Sequence, residues 1–99
     1  MERKLSAQLK VALKIYEITE KKREKVWINK LIGEFEKNKE LSKNTVISSV
    51  QILKEWGIVK VRYGRTENNR VGTLLYITNE AKPWIEELYK KYKQGGSKD

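Results

Sequence analysis

The chain has no cysteine, no histidine, one proline and a single aspartate, Asp99, at its C-terminal end. Without cysteine there is no disulfide, no thiolate zinc site and no thiol nucleophile. Without histidine the usual general base and the commonest metal ligand are gone. A Ser-His-Asp hydrolase or a two-metal nuclease cannot be assembled from what remains. Glutamates are plentiful, but no pair of them stands in an obviously apolar setting that would tune it for proton transfer. The expectation is a binding protein rather than an enzyme, with no metal and no cofactor.

Long apolar runs are missing too. No stretch approaches the ~18 residues of a membrane span, and Met1-Glu2-Arg3-Lys4-Leu5-Ser6 lacks the apolar centre of a signal peptide. A soluble cytoplasmic protein, with no membrane partner, is expected. Hydrophobic residues make up 38% of the 99, below the roughly 45–50% of an average domain. So thin a core would gain from a second subunit.

What the chain does have is positive charge. Twenty-two Lys and Arg against 13 acids leave a net charge of +9. That balance points to a polyanion: nucleic acid first, an acidic membrane surface second, an acidic protein third. Lys and Glu dominate the charged set, which follows the trend of heat-adapted proteins.

The periodicity predicts one domain over 1–93 and a disordered tail over 94–99. Leu5, Leu9, Ala12, Leu13 and Tyr16 form one stripe of a helix over 4–22, and Val11, Ile15 and Ile18 a second stripe further round. A helix apolar over so wide an arc buries two sides. The second side meets either another subunit or this chain's own last helix. Ile28, Leu31, Ile32 and Phe35 mark a second helix over 26–37. Ser42 is placed to cap a third over 43–56, with Val46, Val50 and Leu53 inward and Gly57 as its stop. The period then falls to two: Val59, Val61 and Tyr63 alternate with Lys60 and Arg62. A polar tip over 65–70 leads to a second strand over 71–78, giving an antiparallel hairpin. A last helix over 80–93 carries Ala81, Trp84, Ile85, Leu88, Tyr89 and Tyr92, with Pro83 in its first turn.

Three helices, a hairpin and a helix are the order of a winged helix-turn-helix, an α+β fold. The segment from Leu41-Ser42-Lys43-Asn44-Thr45-Val46 to Leu53-Lys54-Glu55-Trp56-Gly57-Ile58 and the basic strand ending at Tyr63 resembles the recognition helix and first wing strand of MarR-like and PadR-like regulators, of the small archaeal type. Ile77-Thr78-Asn79-Glu80-Ala81 is similar to the exit from their wing. The resemblance covers about residues 26–82 and implies a transcriptional regulator that binds double-stranded DNA. MarR-like regulators are usually longer, with extra helices that build an effector pocket. No small-molecule effector is therefore expected here.

The residues support that reading independently. Asn44, Ser48, Gln51 and Glu55 lie opposite the inward stripe of the third helix, with Lys43, Thr45 and Ile47 beside them. Asn and Gln suit adenine, and Ser or Thr serve either way. Ser42 and the helix N-terminus offer N–H groups to a phosphate. On the hairpin, Lys60 and Arg62 are expected nearer the backbone phosphates, while Arg65, Asn68, Asn69 and Arg70 form a tip able to enter a minor groove. A solvated helix face and a solvated tip are the plain alternatives. Trp27, Trp56, Trp84 and Phe35 read as core packing. Trp84, Leu88, Tyr89 and Tyr92 of one subunit against Val11, Ile15 and Ile18 of another would make a homodimer, with recognition helices roughly 34 Å apart. An architectural DNA-binding protein of low specificity and a winged-helix protein-interaction module are the competing functions.

Overall fold

The computed structural model describes residues 6–66 and 68–96. Ser6 has extended backbone, and its hydroxyl accepts the Leu9 N–H at 3.2 Å, so the first helix, α1, runs Ala7–Tyr16. The expected start at residue 4 is therefore too early, because the cap stands at Ser6; Leu5 lies outside the described residues. The expected end near residue 22 is also altered. Over Glu17–Lys21 the chain widens into a π-helical turn, where the Thr19 hydroxyl donates to the carbonyls of Ile15 (2.9 Å) and Tyr16 (3.3 Å).

The second helix, α2 (Ile28–Lys37), buries Leu31, Ile32 and Phe35. It ends with Lys39 at φ 56°, which lets the Glu40 N–H reach the Phe35 carbonyl at 3.0 Å. The third, α3 (Lys43–Glu55), closes the same way: Gly57 at φ 78° turns the chain so that the Ile58 N–H bonds the Leu53 carbonyl at 3.0 Å. The left-handed residue is glycine in one case and lysine in the other, and only glycine takes that conformation without a Cβ penalty.

Strands β1 (Val59–Arg65) and β2 (Val71–Ile77) pair antiparallel with Val59 opposite Ile77 and Arg65 opposite Val71. Val26 and Trp27 add a short third edge: Trp27 bridges Leu74, and the Leu75 N–H donates to the Val26 carbonyl at 2.9 Å. Thr78 then knots the structure, its hydroxyl donating to the Gly57 carbonyl (2.7 Å) and accepting from the Ala81 N–H (3.3 Å) before the last helix, α4 (Lys82–Gly96). Of the tail expected over 94–99, residues 94–96 are assigned to α4 and residues 97–99 lie outside the described residues.

The core joins α1, α2, α3, the hairpin and α4 in one cluster. α1 packs chiefly on α3, with α4 and β2 on its other sides. Val11, Ile15 and Ile18 are only 0, 0 and 2% exposed inside this single chain. They are therefore not half of a subunit interface, as one reading of the stripe had it; the chain's own elements cover both sides of α1. Trp56 is likewise no core residue: it caps α3 just where the chain turns away and stays largely exposed.

Candidate nucleic-acid interface

α3 presents its inward face through Val46, Ser49, Val50 and Leu53, all buried. That leaves Lys43, Asn44, Ile47, Ser48, Gln51, Lys54 and Glu55 exposed on the other side, and Thr45 half-buried at the edge. Ser42 caps the helix by accepting the Thr45 N–H at 3.3 Å, and its hydroxyl lies 2.9 Å from that of Thr45. The outer face thus begins at a capped helix N-terminus and continues through short polar side chains with no bulky cation between Asn44 and Gln51. Groups of this kind approach base edges closely.

The wing is organised differently. Residues directly opposite in the register share a face, so Val59, Val61, Leu75 and Ile77 point into the core. The same face continues outward through Tyr63, Thr73, Arg65 and Val71. Lys60, Arg62, Gly64, Gly72, Leu74 and Tyr76 occupy the opposite face. There Trp27 lies across the hairpin. A Cβ on Gly72 would stand 2.8 Å from Trp27 Cε3, and one on Gly64 3.7 Å from Trp27 Cη2. Two glycines paired in register, Gly64 opposite Gly72, make room for the indole, and Leu74 is buried beside it. A glycine inside a β-rich run signals close approach of another group; Gly72 marked such an approach in the sequence without naming Trp27 as the group.

The tip closes through Thr66 and Arg70. The Thr66 N–H donates to the Arg70 carbonyl (2.8 Å), the Asn69 N–H to the Thr66 carbonyl (2.9 Å), and Asn69 takes φ 61°. A three-residue loop of this form wants a left-handed residue at its end, a place asparagine tolerates. The Arg65 guanidinium donates to both the carbonyl (3.3 Å) and the side-chain oxygen (3.2 Å) of Asn69. Arg65 and Asn69 therefore shape the tip as well as being exposed on it, a local role the sequence did not indicate. Asn68 and Arg70 are exposed beside them.

The ion pairs found among the described residues lie away from the wing. Ion pairs join Lys14 to Glu17, Lys30 to Glu24, Lys82 to Glu20 and Lys90 to Glu86, all on α1, its π turn, α2, α4 and their connections. Lys43, Lys60, Arg62 and Arg70 are exposed and form no ion pair with another described residue. The Lys30 ammonium, 2.7 Å away, holds the Glu24 carboxyl below its ordinary range by hydrogen bond and charge. Burial, with Glu86, Glu20 and Tyr89 nearby, pushes the Tyr16 phenol up. Neither group lies on α3 or the wing. Among the described residues there is no group of three metal-ligating side chains and no helix long and apolar enough to cross a membrane.

Tyr89 packs inward, its ring 5.2 Å from that of Tyr16 with Lys21 above it. Of the α4 residues expected at a subunit interface, Leu88 is half-buried, while Trp84 and Tyr92 are 49 and 51% exposed.

No protein-family profile and no curated relative matches the sequence. Solved structures share the fold. F-93 of SSV1 superposes with a TM-score of 0.74 at 17% identity, over 99% of this chain and 98% of that one. A PadR-like transcriptional regulator from Bacillus cereus gives 0.71 at 11% identity, over 92% and 84%. The circadian clock associated protein Pex from anabaena gives 0.69 at 15% identity, over 91% and 79%. The fold is a winged helix.

Proposed function

We propose that the protein binds double-stranded DNA as a transcriptional regulator in the cytoplasm, on the nucleoid. In this reading α3 lies in the major groove and the wing follows the minor groove and backbone. The carrying observation is the outer face of α3: short polar side chains behind a capped N-terminus, in a chain whose wing carries four cations and one acid between residues 60 and 76. Asn44, Ser48 and Gln51 read base edges, with Thr45 and Ile47 at the margin. Ser42, Lys43, Lys60, Arg62 and Arg70 take phosphates, and Arg65 holds the tip with Asn68 and Asn69 at the groove. The shared fold with PadR-like transcriptional regulators supports the reading. Nothing in it needs a cofactor or an effector.

A two-fold dimer fits the same reading. Trp84, Leu88 and Tyr92 follow one another at intervals of four along α4, and Glu87 and Lys91 flank that row, both exposed. Glu86 and Lys90 pair at the same spacing, whereas Glu87 and Lys91 do not. Two α4 helices packed antiparallel would set Glu87 of each copy near Lys91 of the other. Sedimentation should show a dimer at tens of micromolar, and a Trp84→Glu variant a monomer; a monomeric parent protein overturns this arrangement.

The function is tested by titrating labelled duplex DNA at several salt concentrations, with and without excess random competitor. Binding that weakens steeply with salt and survives competition on a subset of genomic fragments is expected. Salt-sensitive binding erased by the competitor would make the protein architectural instead. No binding at low salt would overturn DNA binding and favour a protein-interaction module.

A further inference from the structure

The outward end of the wing carries an apolar pair that neither the core nor the proposed base and phosphate contacts use. Tyr63 and Val71 are 75 and 72% exposed, more than any other large hydrophobic residues described. The register sets Tyr63 opposite Thr73 and Val71 opposite Arg65, so the two are diagonal neighbours on one face. That face is the continuation of the core-facing side of the hairpin. The reverse side is closed by Trp27, which lies against Gly64 and Gly72. Among the described residues, the Tyr63–Val71 side is the open one at this end.

The surroundings say what could cover it. Between residues 60 and 76 stand Lys60, Arg62, Arg65 and Arg70 against a single acid, Glu67. A second copy of this basic hairpin would be repelled, whereas a polyanion would be drawn in. An apolar pair bordered by Arg65, directly opposite Val71, and by Arg70 at the tip suits a ligand whose phosphates border an apolar surface. The minor groove of duplex DNA has that composition, with phosphates at its rims and the C–H edges of deoxyribose along its walls. In RNA the same walls carry 2′-hydroxyls.

We propose that Tyr63 and Val71 form a sugar-packing face of the wing, laid against deoxyribose in the minor groove while the wing arginines take the flanking phosphates. The pair adds affinity without adding charge and favours DNA over RNA. This rests on the DNA-binding reading above and extends it to a contact that is apolar rather than ionic.

The two kinds of contact separate by salt dependence. Each lost phosphate contact lowers the slope of log affinity against log salt by about one, whereas loss of an apolar contact leaves the slope alone. The test compares the parent protein with Val71→Thr, Tyr63→Ala/Val71→Thr and Arg70→Ala on one DNA duplex and on an RNA duplex of the same sequence. Val71→Thr keeps shape and strand preference while adding a hydroxyl, and circular dichroism verifies folding of each variant. Should the double variant unfold, Val71→Thr alone carries the test. The double variant should bind DNA about tenfold more weakly with an unchanged slope and lose most of its preference over RNA. Arg70→Ala should lower the slope. Undiminished DNA affinity in folded variants, with the Arg70 effect present, overturns the sugar-packing face and leaves the DNA-binding reading intact. A drop confined to self-association, seen by sedimentation, also overturns it, since the pair would then meet another copy. If the parent protein does not bind duplex DNA even at low salt, both readings fall together.

Discussion

α3 and the wing solve opposite problems with opposite materials. α3 is positioned by what lies beneath it: Val46, Val50 and Leu53 are locked in the core, and from Asn44 to Gln51 the outer face is left to uncharged groups. The wing projects beyond the core, so it is held from the side by Trp27 and closed at its tip by bonds among Arg65, Thr66, Asn69 and Arg70. One element gains precision from packing and carries little charge; the other carries the charge and needs its own brace. In the DNA-binding reading, specificity sits mainly on the first and affinity mainly on the second.

The largest expected break in that contrast is Trp27→Ala. Loss of a large aromatic from a packed site costs about 3 kcal/mol, and here it should also free the wing. The melting temperature should fall and DNA affinity should drop further than stability alone explains, with α3's sequence preference retained. Gly72→Ala attacks the same contact from the other side: its Cβ would meet Trp27 at 2.8 Å, an overpacking cost of about 1–3 kcal/mol. Gly64→Ala, whose nearest contact is 3.4 Å from Leu74 Cδ1, should be close to neutral in the same melt. Equal effects of the two glycine variants would contradict the brace.

On α3, Asn44→Ala should reduce discrimination between sites by about 1–3 kcal/mol if the amide bonds a base bidentately, while binding to random DNA hardly changes. An equal loss on specific and random duplexes would move Asn44 from base reading to phosphate contact. Smaller still, Lys39→Gly should stabilise the fold by up to about 1 kcal/mol, because it removes a left-handed lysine at the end of α2, and DNA affinity should not follow.

The last effect is one of pH. The Tyr16 phenol is raised, mainly by burial, so the folded state favours the neutral form. The stability this contributes is complete below the ordinary phenol range and declines as pH rises through the raised value. Alkaline melts of the parent protein should therefore fall off more steeply than those of Tyr16→Phe, with DNA binding near neutrality alike in both.

Much of this was legible in the residues. Period and caps placed three helices, a hairpin and a fourth helix in order, because each inward stripe is short and each stop is marked, as at Ser42 and Gly57. The outer face of α3 followed from the same periodicity. The partner of α1's second stripe was not legible: Val11, Ile15 and Ile18 look alike whether a second subunit or the chain's own α3, α4 and β2 cover them, and only tertiary packing decides. Nor could the sequence assign the tryptophans. Trp27 and Trp56 both flank helical stripes, yet one lies across a glycine pair and the other caps α3 in solvent. The π turn at Glu17–Lys21 left no periodic mark at all.

The most direct test is an NMR titration of isotope-labelled protein with a short DNA duplex, read residue by residue. Amide shifts concentrated over 42–51 and 60–71, with α4 unmoved, are predicted. Shifts confined to α4, or none at low salt, would contradict a DNA interface built from α3 and the wing.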